Sequence, residues 1–553
     1  MSLTTGQFQA NAISAGFINF QIQAPSKAVY LDRKVDWSMT VNASITVDIS
    51  ALPASLNEDP TVVLTPGRDI SLCAYPLHAL TNTMSATICD TAVSTLLAQN
   101  RELMDRLTDS AIDREWSTSP VALDVYANND EAYGSLMNPL AGWDSTTTFG
   151  TIGNGAWPIV FCNGSGAPGQ AYTDPAGNQI FFNAQGLPFV YLRGTTLNRL
   201  NPAPQSITLY VQFTSSEPLQ MSPFIWRDVM ERRTGLSQLQ NLYVSMTMLT
   251  ARQAKLFRCT AQNQRRVTNY SLWNVNGLPF GQDASLFCQW LSPPMTAELP
   301  YQPVNTVDYQ QIYNYNFPAQ VTATNNLAST QTLSLNTVPD WIVISCGPDI
   351  KYRSSDAAIN QGTWWFPIVS VNISWSNVTG LLSNLTQQQL FQISKCNGLK
   401  MPYTQWTGKA QTSSSSGAST DAAWLTGGPL LLRPGVDITL PPGVTPGQTN
   451  AQWTMRVSLT LDTSAVPAYI WGTGLTTETV VLAINSGFFT TSSGTSRVIT
   501  GPIPGPSNPL QNPEDPNALS GIPSEGPLFR PSGTQLSDSR AVGGRLSMRQ
   551  RLM

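Results

Sequence analysis

The chain has 553 residues, with 39 glycines, 40 prolines, a formal net charge of −4 and charged residues at only 12%. That length exceeds one compact core and fits two large β domains plus a tail, because all-β sandwiches reach roughly 200–250 residues each. The acidic balance argues against a protein that binds nucleic acid over its whole surface, and no stretch approaches the ~20 apolar residues that span a bilayer.

The charged share is about half of the usual ~25%, while Ser, Thr, Asn and Gln are abundant. A surface of neutral hydrogen-bonding groups packs against copies of itself without a large desolvation cost, which favours extensive protein–protein contact. The seven cysteines (Cys73, Cys89, Cys162, Cys259, Cys288, Cys346, Cys396) are scattered and contain no CxxC pair. Reduced, mostly buried thiols are expected, in a reducing compartment. Met1 to Phe17 has no basic start and no apolar run, so no secretion signal is expected and the protein is read as made and assembled inside a cell.

In chain order, Val35, Trp37, Met39, Val41, Ala43, Ile45, Val47 and Ile49 alternate with polar residues and predict a long half-buried strand, or two joined by a bend. Thr65-Pro66-Gly67-Arg68-Asp69 has the chemistry of a type II turn. It leads to a predicted strand from Pro76 and a helix over about 92–108, with Val93, Leu96, Leu97, Met104 and Leu107 on one face. Residues 128–194 are rich in Gly, Asn and Pro, with apolar islands at Trp157–Phe161 and Phe189–Leu192; long outer loops with short strands are expected there. Ile207 to Phe213 alternates again. Residues 218–236 break that rhythm, which sets a first domain at 1–225 and a second at 226–500.

Leu242 to Met248 restarts the alternation, followed by predicted strands at 332–335, 341–346, 369–375, 453–461 and 480–484. After Val369–Trp375 a helix is predicted from Leu385 to Cys396, started by Asn384 with Gln387 and stopped by Gly398. Pro76-Leu77, Leu80 and Met84-Ser85 match Pro367-Ile368, Val371 and Trp375-Ser376 at identical spacing, so a strand, turn and helix are used once in each half. The Ser/Gly/Thr run 411–423 predicts an exposed loop. Beyond Thr500, nine prolines from Pro502 to Pro531 rule out sheet and helix, leaving 501–553 as an extended arm. The fold class is therefore all-β: two antiparallel blocks, sandwiches or jelly rolls, in one chain with a few short helices, long loops and an extended C-terminal arm.

Catalytic patterns are missing. His78 is the single histidine, too few for a His-based zinc site and read as a packed strand residue. Gly408-Lys409-Ala410 lacks the rest of a P-loop, and Gly164-Ser165-Gly166 lacks the spacing of a nucleophile elbow. Asp105, Asp109 and Asp113 read as a solvated face. No catalytic, metal or cofactor site is assigned, and no enzyme activity is expected.

Two features remain as candidate sites. Arg227, Arg232 and Arg233 lead into Arg252, Lys255, Arg258, Arg265 and Arg266, the one concentration of charge. It reads either as a surface facing packaged polyanion or as a set of structural ion pairs. In the arm, Leu528 and Phe529 with Arg545, Arg549 and Arg551 offer apolar and basic groups for docking on a neighbour.

Thr65–Asp69, Pro76 and Leu80–Ile88 together resemble the first jelly roll of virophage major capsid proteins. Pro223–Trp226 with Gly235-Leu236, Val338-Pro339, and Val371–Trp375 with its following helix agree in order. The resemblance covers roughly residues 60–400 in islands, and polinton-like viruses share the architecture. It implies a double jelly roll whose homotrimers form pseudo-hexameric capsomers of an icosahedral DNA virus shell, present in the virion. The implied partners are itself, penton and minor capsid proteins, and packaged DNA at the inner face, with no small-molecule substrate. The alternative is a trimeric spike, fibre or minor capsid protein. The proline-rich arm has no counterpart in the resemblance.

Overall fold

Alternation makes Asp36–Asp48 a 13-residue strand, and Trp37, Met39 and Val41 on one side of it are fully buried. It lies inside a seven-stranded antiparallel sheet with the path Ser2–Gln9, Gly281–Ser292, Asp36–Asp48, Ser206–Pro218 and Val160–Cys162. Arg266–Leu272 also pairs with Asp36–Asp48, and Tyr30–Leu31 with Gly281–Ser292. A five-stranded sheet runs Ala12–Ile13, Phe17–Gln23, Asn241–Met248, Thr81–Ile88, Thr91–Thr95. Ile18, Phe20, Met84 and Val244 from the second sheet join Trp37, Met39, Phe213 and Leu286 from the first in one apolar cluster. Two sheets around one core make a sandwich.

The computed structural model describes residues 2–14, 16–48, 61–64, 70–72, 75–108, 160–162, 172–173, 179–182, 190–193, 206–224, 235–249, 257–259, 266–272, 281–292, 304–349, 365–407, 409–413, 420–424, 427–449, 452–464 and 475–500.

The expected boundary at residue 226 falls inside the first sandwich, because Asn241–Met248 and Gly281–Ser292 hydrogen-bond to strands from the start of the chain. The first sandwich thus reaches Ser292. The second is built from Asn305–Ala319, Thr477–Ser492, Trp341–Pro348 and Leu430–Leu432, with Thr495–Thr500 on Thr477–Ser492. Its other sheet runs Leu327–Ser329, Trp453–Leu461, Ile368–Trp375, Val378–Leu381, with Leu333–Leu335 also on Trp453–Leu461. Val371, Ile373, Trp375, Val457 and Leu459 meet Ile342, Ile344, Val481 and Leu482 in the second core.

The strand expected from Pro76 is a short helix, Pro76–Leu80, before the strand Thr81–Ile88; proline at the first helical position suits a helix start. The helix expected over 92–108 is a strand, Thr91–Thr95, and then a helix, Leu97–Thr108. In the second block the cap is Thr386 rather than Asn384. Its hydroxyl accepts from the Gln389 amide and the Gln389 side chain returns to the Thr386 amide, a full capping box on Gln387–Cys396. Gly398 takes φ 104° as expected, with its amide donating to Lys395 O and that of Leu399 to Ser394 O. The loop expected at 411–423 begins and ends in a hairpin, Lys409–Ser413 with Thr420–Trp424. Within 128–194, Val160–Cys162 and Val190–Arg193 are strands near the apolar islands; most of the rest, like the arm 501–553, lies outside the described residues.

Candidate functional site: the seam and the outer faces

The single histidine is structural. His78 and Glu217 are 1% and 0% exposed, too closed for any substrate. The Glu217 carboxylate accepts from the Leu77 amide at 2.7 Å, the His78 amide at 2.8 Å and the Ser215 hydroxyl at 2.9 Å. A strand residue thereby satisfies the first turn of Pro76–Leu80, whose own N-cap, Tyr75, makes no side-chain capping bond. His78 Nε2 lies 2.7 Å from Pro218 O, so it donates there and its Nδ1 faces Glu217 Oε2 at 3.4 Å. Burial holds the imidazole neutral, its pKa down at about 3, with Arg101 adding to the shift. Burial also pushes Glu217 up to about 7, against three hydrogen bonds that favour the carboxylate.

The two sandwiches are joined by a shared ladder. Asn305–Ala319 pairs with Thr477–Ser492 in unbroken register from Asn305↔Thr491 to Ala319↔Thr477. At one end Val307, Tyr309 and Phe489 belong to the first core; at the other Ile312, Tyr315, Phe317 and Val480–Ile484 belong to the second. The helix Leu97–Thr108 crosses in the opposite sense, its Leu103, Met104 and Leu107 entering the second core, with Asn314 Nδ2 donating to Gln99 Oε1 at 3.0 Å.

Polar contacts close the seam. Asp90, in the turn after Thr81–Ile88, accepts from the amide and hydroxyl of Ser496 at 2.6 and 2.9 Å, bonds that hold its carboxyl below the usual range. The Ser496 hydroxyl also reaches Ile88 O, and Thr91 Oγ1 donates to Ser496 O at 2.7 Å. Thr491 Oγ1 donates to Ser237 O at 2.8 Å, and Asn305 Nδ2 to Ser237 Oγ at 2.7 Å. Arg33 reaches Pro223 O and Asp308 O, each at 3.4 Å; burial lowers its pKa while Asp308 and Asp32 raise it.

Of the expected basic cluster, Arg258 lies in Phe257–Cys259, opposite Ser71, and Arg266 begins Arg266–Leu272, opposite Asp48. These strands belong to different sheets. Arg252, Lys255 and Arg265 lie outside the described residues, as do Leu528, Phe529, Arg545, Arg549 and Arg551. Glu217 and the Asp90–Ser496 pair were missed from sequence, since a lone carboxylate and a serine carry no periodicity. The Tyr/Asn alternation of Tyr313–Phe317 was the readable trace of the missed strand Asn305–Ala319.

Among the described residues no three His, Cys, Asp or Glu side chains gather as metal ligands, and no helix is long and apolar enough to cross a membrane. Cys89, Cys288 and Cys346 are buried free thiols and Cys396 is an exposed one. Burial pushes Cys288 and Cys346 up to about 12, the opposite of a reactive thiol.

With two sandwiches and their seam defined, comparison with known proteins is decisive. Residues 1–291 match the model of the Sputnik virophage major capsid protein first domain. The chain belongs to the virophage major capsid protein family. Residues 311–487 match the C-terminal domain of the V20 major capsid protein, so the two models divide the chain near the boundary drawn by the strand pairing. The putative capsid protein V20 of Sputnik virophage is 24% identical over 411 residues, 73% of this chain. The chain spans 60% of that relative's length. Among solved structures, the Sputnik virophage structure determined by cryo-EM aligns with a TM-score of 0.68 at 19% identity, over 97% of this chain and 92% of that one. The mavirus major capsid protein aligns with a TM-score of 0.60 at 14% identity, over 93% and 92%. The fold is a double jelly roll, and the family is one of structural capsid proteins rather than enzymes.

Proposed function

We propose that this chain builds an icosahedral shell as homotrimers, each presenting six jelly rolls at pseudo-hexagonal positions. The observation that carries this reading is the continuous ladder Asn305–Ala319/Thr477–Ser492, which contributes to both cores. Two sandwiches locked this way are one rigid building unit, and three copies supply six comparable walls. Packaged DNA at the inner face and penton and minor capsid proteins at the lattice edges complete the proposed partners, in a particle assembled inside the host cell. Arg252, Lys255, Arg258, Arg265 and Arg266 are proposed to face the genome; the arm, through Leu528, Phe529, Arg545, Arg549 and Arg551, is proposed to tie neighbouring capsomers. At ~3.1 Å per residue in polyproline geometry, thirty residues of such an arm span ~90 Å.

Mass photometry and negative-stain imaging of the purified protein test the trimer. A particle three times the 60.0 kDa of one chain, with a six-lobed outline, is expected. A monodisperse monomer at micromolar concentration and physiological salt overturns it. Truncation at Thr500 should leave trimers and weaken shells; robust shells from the truncated protein refute the arm's role. Replacing the five basic residues by Gln should lower DNA content per particle with trimers intact, whereas loss of trimers assigns them to ion pairs.

A further inference from the structure

The outer face of the five-stranded sheet of the first sandwich carries no charged residue. Its outward positions are the alternate residues of Phe17–Gln23, Asn241–Met248, Thr81–Ile88 and Thr91–Thr95, whose partners in the alternation point into the core. Every one of them is exposed or half-buried, and they are amides, hydroxyls, one alanine and two aromatics. Phe17 and Tyr243 are 45% and 40% exposed.

Neutral groups link across the strands. Gln21 Nε2 donates to the Tyr243 hydroxyl at 3.3 Å, and the Ser245 hydroxyl to Asn19 Oδ1 at 2.7 Å. The other sheets differ. The seven-stranded sheet has half-buried Asp36 and exposed Asp283 on its strands, and in the second sandwich the sheet that holds Trp453–Leu461 has exposed Arg456. Solvated protein surface is normally ~25–35% charged, so a whole sheet face without one charge is not designed for water alone.

We infer that this face is a contact surface for a second copy of this chain. Lacking Lys and Arg, it has nothing to offer a nucleic acid or an anionic membrane. A charged protein partner would lose hydration against it without gaining an ion pair. An uncharged surface is matched best by another uncharged one, and this chain, at 12% charged residues, is rich in such surface. Five strands at ~4.8 Å spacing and about seven residues at ~3.4 Å rise cover on the order of 500 Å². That is the greater part of the ~800 Å² that each partner buries in an interface of standard size. Exposed Phe17 and Tyr243 supply aromatic anchors of the kind enriched in interface cores. The inference rests on the self-assembly proposed above and names one of the surfaces that mediates it.

The test is the full-length variant Gln21→Glu/Ser85→Glu/Ser245→Glu, which puts like charges across the face while leaving every core side chain in place. Parent and variant are compared by mass photometry and particle imaging. The variant is expected to keep its far-UV circular dichroism and melt as one species, to need at least tenfold more protein to associate, and to recover partly at 1 M salt, where the Debye length falls to ~3 Å. Association at the parent's concentration overturns the inference while leaving the trimer untouched; a parent that is itself monomeric overturns the trimer instead. Should the triple variant misfold, Gln23→Cys supplies the second reading. Maleimide labelling at that position, above the parent background, should be strong in dissociated protein and suppressed at least fivefold in assemblies. Equal labelling in both states counts against the face.

Discussion

At the scale of single residues, the molecule's most consequential side chains are buried polar ones. His78 and Glu217 pull stability in opposite directions as pH changes. The imidazole is neutral in the fold, its pKa about 3 against 6.5 free, so its contribution is complete above 6.5 and is lost as pH falls toward 3. Glu217 holds its proton up to about 7 against 4.5 free, so its contribution is complete below 4.5 and is lost as pH rises toward 7. The slopes oppose each other between 4.5 and 6.5, and below that window only the histidine's remains. His78→Gln, which can still donate to Pro218 O, is therefore expected to lose less stability than the parent between pH 4.5 and 3.5, read from urea melts. Parallel pH profiles for the two proteins would refute this. Loss of the Glu217 carboxylate by Glu217→Ala strands two buried amides and should cost on the order of 3 kcal/mol.

At the scale of elements, close approach and capping set the limits. A Cβ on Gly487 would lie 2.3 Å from Ile499 O, where Thr495–Thr500 pairs with Thr477–Ser492. Backbone cannot step aside as a flexible side chain can, so Gly487→Ala is expected to destabilise by about 1–3 kcal/mol. Thr386→Ala removes one half of the capping box on Gln387–Cys396 and should cost about 1 kcal/mol. Chemical denaturation at fixed pH measures both. A Gly487→Ala protein as stable as the parent would mean that the two strands separate there without penalty.

At the scale of the whole molecule, the seam makes the two sandwiches one cooperative unit. The ladder from Asn305 to Ala319 contributes to both cores, and Leu103, Met104 and Leu107 cross the other way. Calorimetry on the dissociated chain should show a single transition, with calorimetric and van't Hoff enthalpies in agreement. Two resolved transitions would show that the sandwiches melt independently. Asp90→Ala, which removes the carboxylate that Ser496 donates to at the surface end of the seam and leaves its bonds to Ile88 and Thr91, should soften that coupling with a small effect on either core.

Sequence alone fixed what depends on the side-chain period. Strands such as Asp36–Asp48, Asn241–Met248 and Trp453–Leu461 were legible because one face meets a core and the other meets solvent or a polar surface, which writes alternation into the residues. The all-β class and the family resemblance followed from those strands and their turns. Strands buried on both faces or lined with polar residues left a weaker mark: Thr477–Ser492 is buried at nearly every position, and in Asn305–Ala319 only Tyr313–Asn316 alternates, tyrosine with asparagine rather than apolar with polar. Their extent, and the shared ladder they form, came only from tertiary structure. The boundary moved from 226 to beyond Ser292 for the same reason, since local sequence does not say which distant strand completes a sheet. His78, read as a packed strand residue, is packed but sits in the helix Pro76–Leu80, and its partner Glu217 comes from a strand 139 positions away in sequence. No short-range pattern encodes a contact whose two halves are brought together only by the closing of the sandwich.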